Sequence, residues 1–225
     1  MKAIVLGATG MVGSELVRQL ISEEQFHYID ILSRRPLEIQ NPKLSVKLVK
    51  FDDMNSYRSA IDKADTIFCC IGTTMKNVRG NKVLYRKIDY DIAMDAAKFG
   101  LEKGVGQYVL VSAVGANPMS GNFYLRLKGE VEDAIHGLPF ESTYIMRPSM
   151  LFGKREEFRW GEVISKPIIQ VASAVLSGSL RKYKPIDAKD VARAMIGAAQ
   201  ERLAGFHICE YGEMMRLTVP ANVAR

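Results

Sequence analysis

Cysteine and histidine are scarce in this chain. The three cysteines are Cys69, Cys70 and Cys209, an odd number with two adjacent in an apolar run. That arrangement supplies neither a disulfide framework nor metal-ligand spacing, so all three are expected to be reduced core residues. His27, His136 and His207 stand apart from any acid or cysteine motif, which argues against a zinc site and against a Ser-His-Asp triad. No run of eighteen apolar residues occurs, so a membrane-spanning helix is not expected. Low-complexity tracts and solenoid-length repeats are missing too.

Basic residues exceed acidic ones, giving a net charge of +6. They are spread over Arg34-Arg35, Lys154-Arg155 and Arg181-Lys182-Tyr183-Lys184 rather than gathered in one block. Such a distribution reads as solvated surface charge, with no nucleic-acid partner expected, although the field would favour a small phosphate-bearing ligand. The composition, 48% hydrophobic and 25% charged over 225 residues, is that of a globular protein and fits a single domain, residues 1–225. Because the first apolar run opens at once, with no leader-like stretch ahead of it, a cytoplasmic location is the expectation.

That first run, Lys2-Ala3-Ile4-Val5-Leu6, leads into Gly7-Ala8-Thr9-Gly10-Met11-Val12-Gly13 and then into Ser14-Glu15-Leu16-Val17-Arg18-Gln19-Leu20-Ile21, whose apolar positions recur at helical spacing. The pattern is strand, tight turn, helix. Glycines let the backbone turn sharply and approach a pyrophosphate, while the helix start offers N–H groups and a positive dipole end. Glycine spacing alone is a weak signal, so the rest of the chain must support it.

It does so by repetition. Strands are predicted at Tyr28-Ile29-Asp30-Ile31-Leu32, at 46–51, at Thr66-Ile67-Phe68-Cys69-Cys70-Ile71, at Tyr108-Val109-Leu110-Val111-Ser112 and at 140–146, with helices at 54–61, 83–103, 122–137 and 188–201. Alternating strands and helices specify an α/β fold, a doubly wound parallel sheet of Rossmann type. From 151 onward the pattern loosens, with a charged aromatic stretch at 154–160 and a helix at 168–176. Residues 151–225 are expected to be a small C-terminal elaboration that binds substrate.

Ligands of such sheets lie beyond the carboxyl ends of the strands. The second strand ends in Ser33-Arg34-Arg35. Arginine there suits a ribose 2′-phosphate, whereas the nearest acid, Asp30, lies inside the strand, so NADP(H) is the expected cofactor. Asp52, at the end of the third strand, would meet its adenine end, unless Asp52-Asp53 serves only to cap the next helix. Twelve residues after Ser112 comes Tyr124-Leu125-Arg126-Leu127-Lys128, which puts Tyr124 and Lys128 on one helix face. The ammonium would lower the phenol's pKa from about 10, making Tyr124 an acid/base, and Ser112 could hydrogen-bond a substrate carbonyl.

With these residues the chain resembles an atypical short-chain dehydrogenase/reductase. Phe68-Cys69-Cys70-Ile71-Gly72-Thr73-Thr74, Leu110-Val111-Ser112, the stretch from Asn122 to Glu132, and Arg147-Pro148-Ser149 are similar to the Tat-interacting-protein-like branch of that superfamily, over about residues 1–200. The resemblance implies a Rossmann-type fold binding NADPH, with the serine, tyrosine and lysine roles on Ser112, Tyr124 and Lys128. It also implies cofactor contacts at Gly7, Thr9, Gly10, Met11 and Val12, at Ser33, Arg34 and Asp52, at Cys70, Ile71, Gly72 and Thr73, and around Arg147, Pro148 and Ser149. Branch members can carry a segment before the first strand that this sequence does not show, and functions resting on it are not carried over.

The leading expectation is therefore an NADP(H)-dependent oxidoreductase acting on a small carbonyl or alcohol, with no metal and no membrane partner. Branch members are also described as regulatory proteins. A non-catalytic redox sensor, responding through the loop at 73–82 and the 154–160 segment, is the competing expectation. A nucleotide-sugar epimerase or dehydratase is the lesser one. Exposed helices leave room for a homodimer.

Overall fold

A computed structural model describes residues 1–152 and 178–219. The helix expected at 168–176 and the charged aromatic stretch at 154–160 lie outside the described residues.

Seven strands form one parallel sheet in the order β3-β2-β1-β4-β5-β6-β9. They are β1 (Lys2–Leu6), β2 (Tyr28–Ser33), β3 (Leu44–Leu48), β4 (Thr66–Cys69), β5 (Gln107–Val111), β6 (Ser142–Met146) and β9 (Gly205–Cys209). Two short strands, β7 (Leu151–Phe152) and β8 (Ile186–Asp187), pair beside it. Strand order reverses between β1 and β4, which opens a crevice at their carboxyl ends.

Alternation along β1 shows how the sheet buries both faces. Ala3 and Val5 join a core with Leu16, Leu20 and Met195, under α1 (Met11–Ser22), α6 (Ala188–Glu201) and α7 (Tyr211–Leu217). Ile4 and Leu6 point the other way, to Tyr57, Ile67, Phe99 and Val131, under α2 (Met54–Ala60), α4 (Ile92–Glu102) and α5 (Phe123–His136). The buried Tyr57 and Tyr108 hydroxyls donate to the carbonyls of Ile92 and Ala93, 2.8 Å away in both cases, so neither is left unsatisfied. Burial pushes both phenols well above their ordinary pKa.

Three features of these elements bear on function. The helix expected at 83–103 is α3 (Lys82–Arg86), a π-helical turn at Lys87–Asp91, and α4, run end to end. The extra residue in that turn sets Asp89 into the interior. Residues 188–217 supply α6, α7 and the edge strand β9, so much of the stretch assigned to substrate binding also completes the sheet and covers one face. At the third strand it is Asp53, not Asp52, that caps α2, accepting from the N–H groups of Asn55 and Ser56. Among the described residues no helix is long and apolar enough to cross a membrane.

Candidate active site

The crevice above β1 and β4 is a cleft of about 510 Å³. Its floor is the glycine turn, and the floor is backbone by necessity. Gly7 has φ of +79°, and a Cβ there would stand 2.6 Å from the carbonyl carbon and oxygen of Cys70. A Cβ on Gly13 would come within 2.1 Å of the Gly7 oxygen, so α1 can pack this close to β1 only without one. Gly10 caps α1 with no side-chain hydrogen bond, leaving the first-turn N–H groups without intrahelical acceptors and facing the cleft end of the dipole. A cradle with no room for side chains and a helix start above it fits a dinucleotide pyrophosphate.

Gly7, Thr9, Gly10, Met11, Ser33, Arg34, Cys70, Ile71 and Gly72, all expected contacts, line this cleft. Two others do not. Val12 is buried in the core beneath α1, because its position on the helix faces the sheet, though its N–H belongs to the first turn. Asp52 lines an adjoining cavity of about 240 Å³ with Met54, Lys87 and Tyr90, while its neighbour Phe51 reaches both spaces. Asp30 is 5% exposed, and both Lys2 and Lys47 stand 3.0 Å from its Oδ2. Its charge is used inside the sheet, so it is not turned to the cleft.

A second pocket, about 40 Å³, opens beside the first and shares Cys70 and Ile71 with it. Thr73, Ser112, Tyr124, Lys128, Pro148 and Ser149 line it, joined by Tyr85, Asp89, Val111 and Leu151. The serine comes from the end of β5, and the tyrosine and lysine come from one face of α5. That helix starts at Asn122, whose side chain accepts from the Leu125 N–H. Gly129, next to Lys128, lets the chain at Asn117 and Pro118 lie against α5, since a Cβ would stand 2.3 Å from the Pro118 nitrogen.

Carboxylates that the sequence reading passed over hold these groups. Lys128 Nζ is 3.1 Å from Asp89 Oδ1, an ion pair with both side chains buried. The other oxygen of Asp89 accepts from the Thr73 N–H at 2.7 Å. Ser112 donates its hydroxyl hydrogen bond to Glu132, and the same carboxylate receives the Arg147 guanidinium through two nitrogens. Arg147 is therefore turned from the pocket into a buried pair, and only Pro148 and Ser149 of that trio line the pocket. The Ser149 hydroxyl donates to the Lys184 carbonyl. On the sequence, Glu132 reads as one more charge on a helix surface, and Asp89 as a polar interruption in an amphipathic helix.

A family model described as NAD(P)H-binding matches residues 7–202. The "Protein FMP52, mitochondrial" of Candida albicans is 36% identical over 211 residues, covering 91% of this chain and 90% of the relative. The protein of the same name from Coccidioides immitis is 34% identical over 212 residues, 89% and 86% of the two chains. Among solved structures, MoeE5 in complex with UDP-glucose and NAD superposes with a TM-score of 0.67 at 16% identity, over all of this chain and 82% of that one. At that identity the likeness is one of fold. The cytoplasmic location expected from the opening of the chain is overturned, since both relatives are named mitochondrial; where a sequence begins did not report where the protein goes. A glycine floor that admits no Cβ is what a pyrophosphate requires, and with the match across residues 7–202 the chain belongs to the NAD(P)H-binding family.

Proposed function

We propose that this chain is an NADP(H)-dependent oxidoreductase of the atypical short-chain dehydrogenase/reductase type, in its Tat-interacting-protein-like branch, acting on a small carbonyl or alcohol. The observation that carries the reading is the junction of the two cavities at Cys70 and Ile71, which sets Tyr124, Lys128 and Ser112 at one end of the dinucleotide cleft. The preference for the phosphorylated cofactor rests on Arg34 and Arg35 at the cleft wall, neither with a carboxylate partner among the described residues, and on Asp30 being held by two lysines.

When bound, the nicotinamide supplies or takes the hydride. Tyr124 Oη gives a proton to the substrate oxygen in reduction and recovers it in oxidation. The Lys128 ammonium has three donors, enough to keep Asp89 and still reach a ribose hydroxyl and the tyrosine oxygen. Ser112, with its proton committed to Glu132, offers lone pairs to an alcohol O–H, and it donates to a carbonyl only by turning from Glu132. Leu151 gives the small pocket an apolar wall from the C-terminal part of the chain. In a screen of small aldehydes and ketones, Tyr124→Phe is expected to lower NADPH consumption about 100-fold or more while NADPH affinity holds. Full activity in that variant would remove Tyr124 from the role.

One observation favours a second reading. Both Ser112 and Lys128 have buried carboxylate partners, as residues that hold a cofactor without turnover would. Limited proteolysis then separates the two: a cutting pattern that differs between NADP⁺ and NADPH, with no turnover on any carbonyl, identifies a sensor.

A further inference from the structure

Asp89 joins three parts of the site that the sequence keeps apart. It sits in the π-helical turn at Lys87–Asp91 and is 2% exposed. Its Oδ1 faces Lys128 Nζ at 3.1 Å, and its Oδ2 accepts the Thr73 N–H at 2.7 Å. One helical turn earlier, the Tyr85 hydroxyl donates to the Thr73 carbonyl at 2.9 Å. Both polar groups of the Thr73 backbone are thus clamped by one helix, directly after Cys70, Ile71 and Gly72, which line the dinucleotide cleft. The π turn widens the helix locally and by its end offsets the chain by one residue, about 100° around the axis, from a regular α-helix. A carboxylate so buried is costly unless it is paired and hydrogen-bonded, and here one oxygen serves a cation and the other a loop.

We infer that Asp89 is a positioning residue for the cofactor: through Lys128 and the Thr73 backbone it fixes the nicotinamide-ribose end of the cleft and leaves the adenine end untouched. The inference rests on the cofactor reading above. It follows from what holds each end: the glycine turn and Arg34 are set by β1 and β2, whereas Lys128 and the Thr73 backbone are held by Asp89 directly.

The test is calorimetric titration of the wild-type chain and Asp89→Asn with two probes, NADPH and 2′,5′-ADP. The second probe lacks the nicotinamide and its ribose. Asparagine keeps an acceptor for Thr73 but loses the charge that holds Lys128. NADPH affinity is expected to fall about tenfold or more, as for loss of a charge-assisted contact, with 2′,5′-ADP affinity unchanged. Equal weakening of both probes, or no weakening of NADPH, would overturn the inference. Should the single variant fail to fold without the carboxylate at 89, Lys128→Gln is compared with Asp89→Asn/Lys128→Gln. The two are expected to bind NADPH equally weakly, because with an acceptor kept for Thr73 the charge of Asp89 acts through Lys128, and a further loss of NADPH affinity, or any loss of 2′,5′-ADP affinity, in the double variant would contradict this. If the wild-type chain binds neither probe, the cofactor reading itself fails and the inference falls with it.

Discussion

The two halves of the site are built from different materials. The cleft over β1 is shaped by main chain: positive φ at Gly7, a bare Gly13 against the Gly7 oxygen, and the open start of α1. The pocket beside it is held by side chains in pairs, Lys128 with Asp89 at its wall and Arg147 with Glu132 behind Ser112. A backbone site is vulnerable to volume. A paired-charge site is vulnerable to the loss of one partner. The first has the shape a pyrophosphate needs, and the second gathers the titratable side chains.

That contrast can be broken at its strongest point with Gly13→Ala. The added methyl would meet backbone at 2.1 Å, and no flexible side chain is there to yield, so a loss on the order of 3 kcal/mol is expected. Urea unfolding measures it, and NADPH binding should vanish as well. A tolerated alanine would mean that the close approach of α1 to β1 does not matter. Glu132→Gln probes the other half. The amide keeps the shape but strands the Arg147 charge, and a cost of about 2 kcal/mol is expected. Arg147→Met in the same background should restore much of it, whereas additive losses would deny that the two residues act as a pair.

The smallest effect lies outside both halves. Hydrogen bonds from Arg216 hold the Glu201 carboxyl below its ordinary value of 4.5. A depressed folded-state pKa gives stability that is present above pH 4.5 and lost as pH falls through the lower folded value. Glu201→Gln should therefore lower the melting temperature slightly at neutral pH and flatten its acid limb, an effect reduced by solvent because the pair is partly exposed. An unchanged acid limb would count against the pair as a source of acid sensitivity.

What the sequence made legible divides along the same line. The strand, glycine turn and helix at 2–22 lie close together in the chain, so the pattern was visible locally, and the strands and helices alternating after it gave it weight. Tyr124 and Lys128, four apart in sequence, were expected on one helix face, and both line the same pocket. Asp89 was not legible, because its meaning depends on a π turn and on a lysine far along the chain. Glu132 lies on the same helix as Lys128 but declares its role only through Ser112 and Arg147 on neighbouring strand ends. Arg147 was expected as a contact from its place at a strand end and from the family resemblance, and nothing local in the sequence shows that Glu132 engages it. Strand β9 escaped because Gly205-Phe206-His207-Ile208-Cys209 is short and, at the sheet edge, mixes polar with apolar residues.

The central claim is that the cleft is made for a phosphorylated dinucleotide and that Arg34 reads the phosphate. Parallel titration of NADPH and NADH into the wild-type chain and Arg34→Ala tests it most directly. The wild-type chain should prefer NADPH, and the variant should lose about tenfold or more of its NADPH affinity with NADH affinity nearly unchanged. Equal affinity of the wild-type chain for both, or an Arg34→Ala variant that still prefers NADPH by the wild-type margin, would contradict the account.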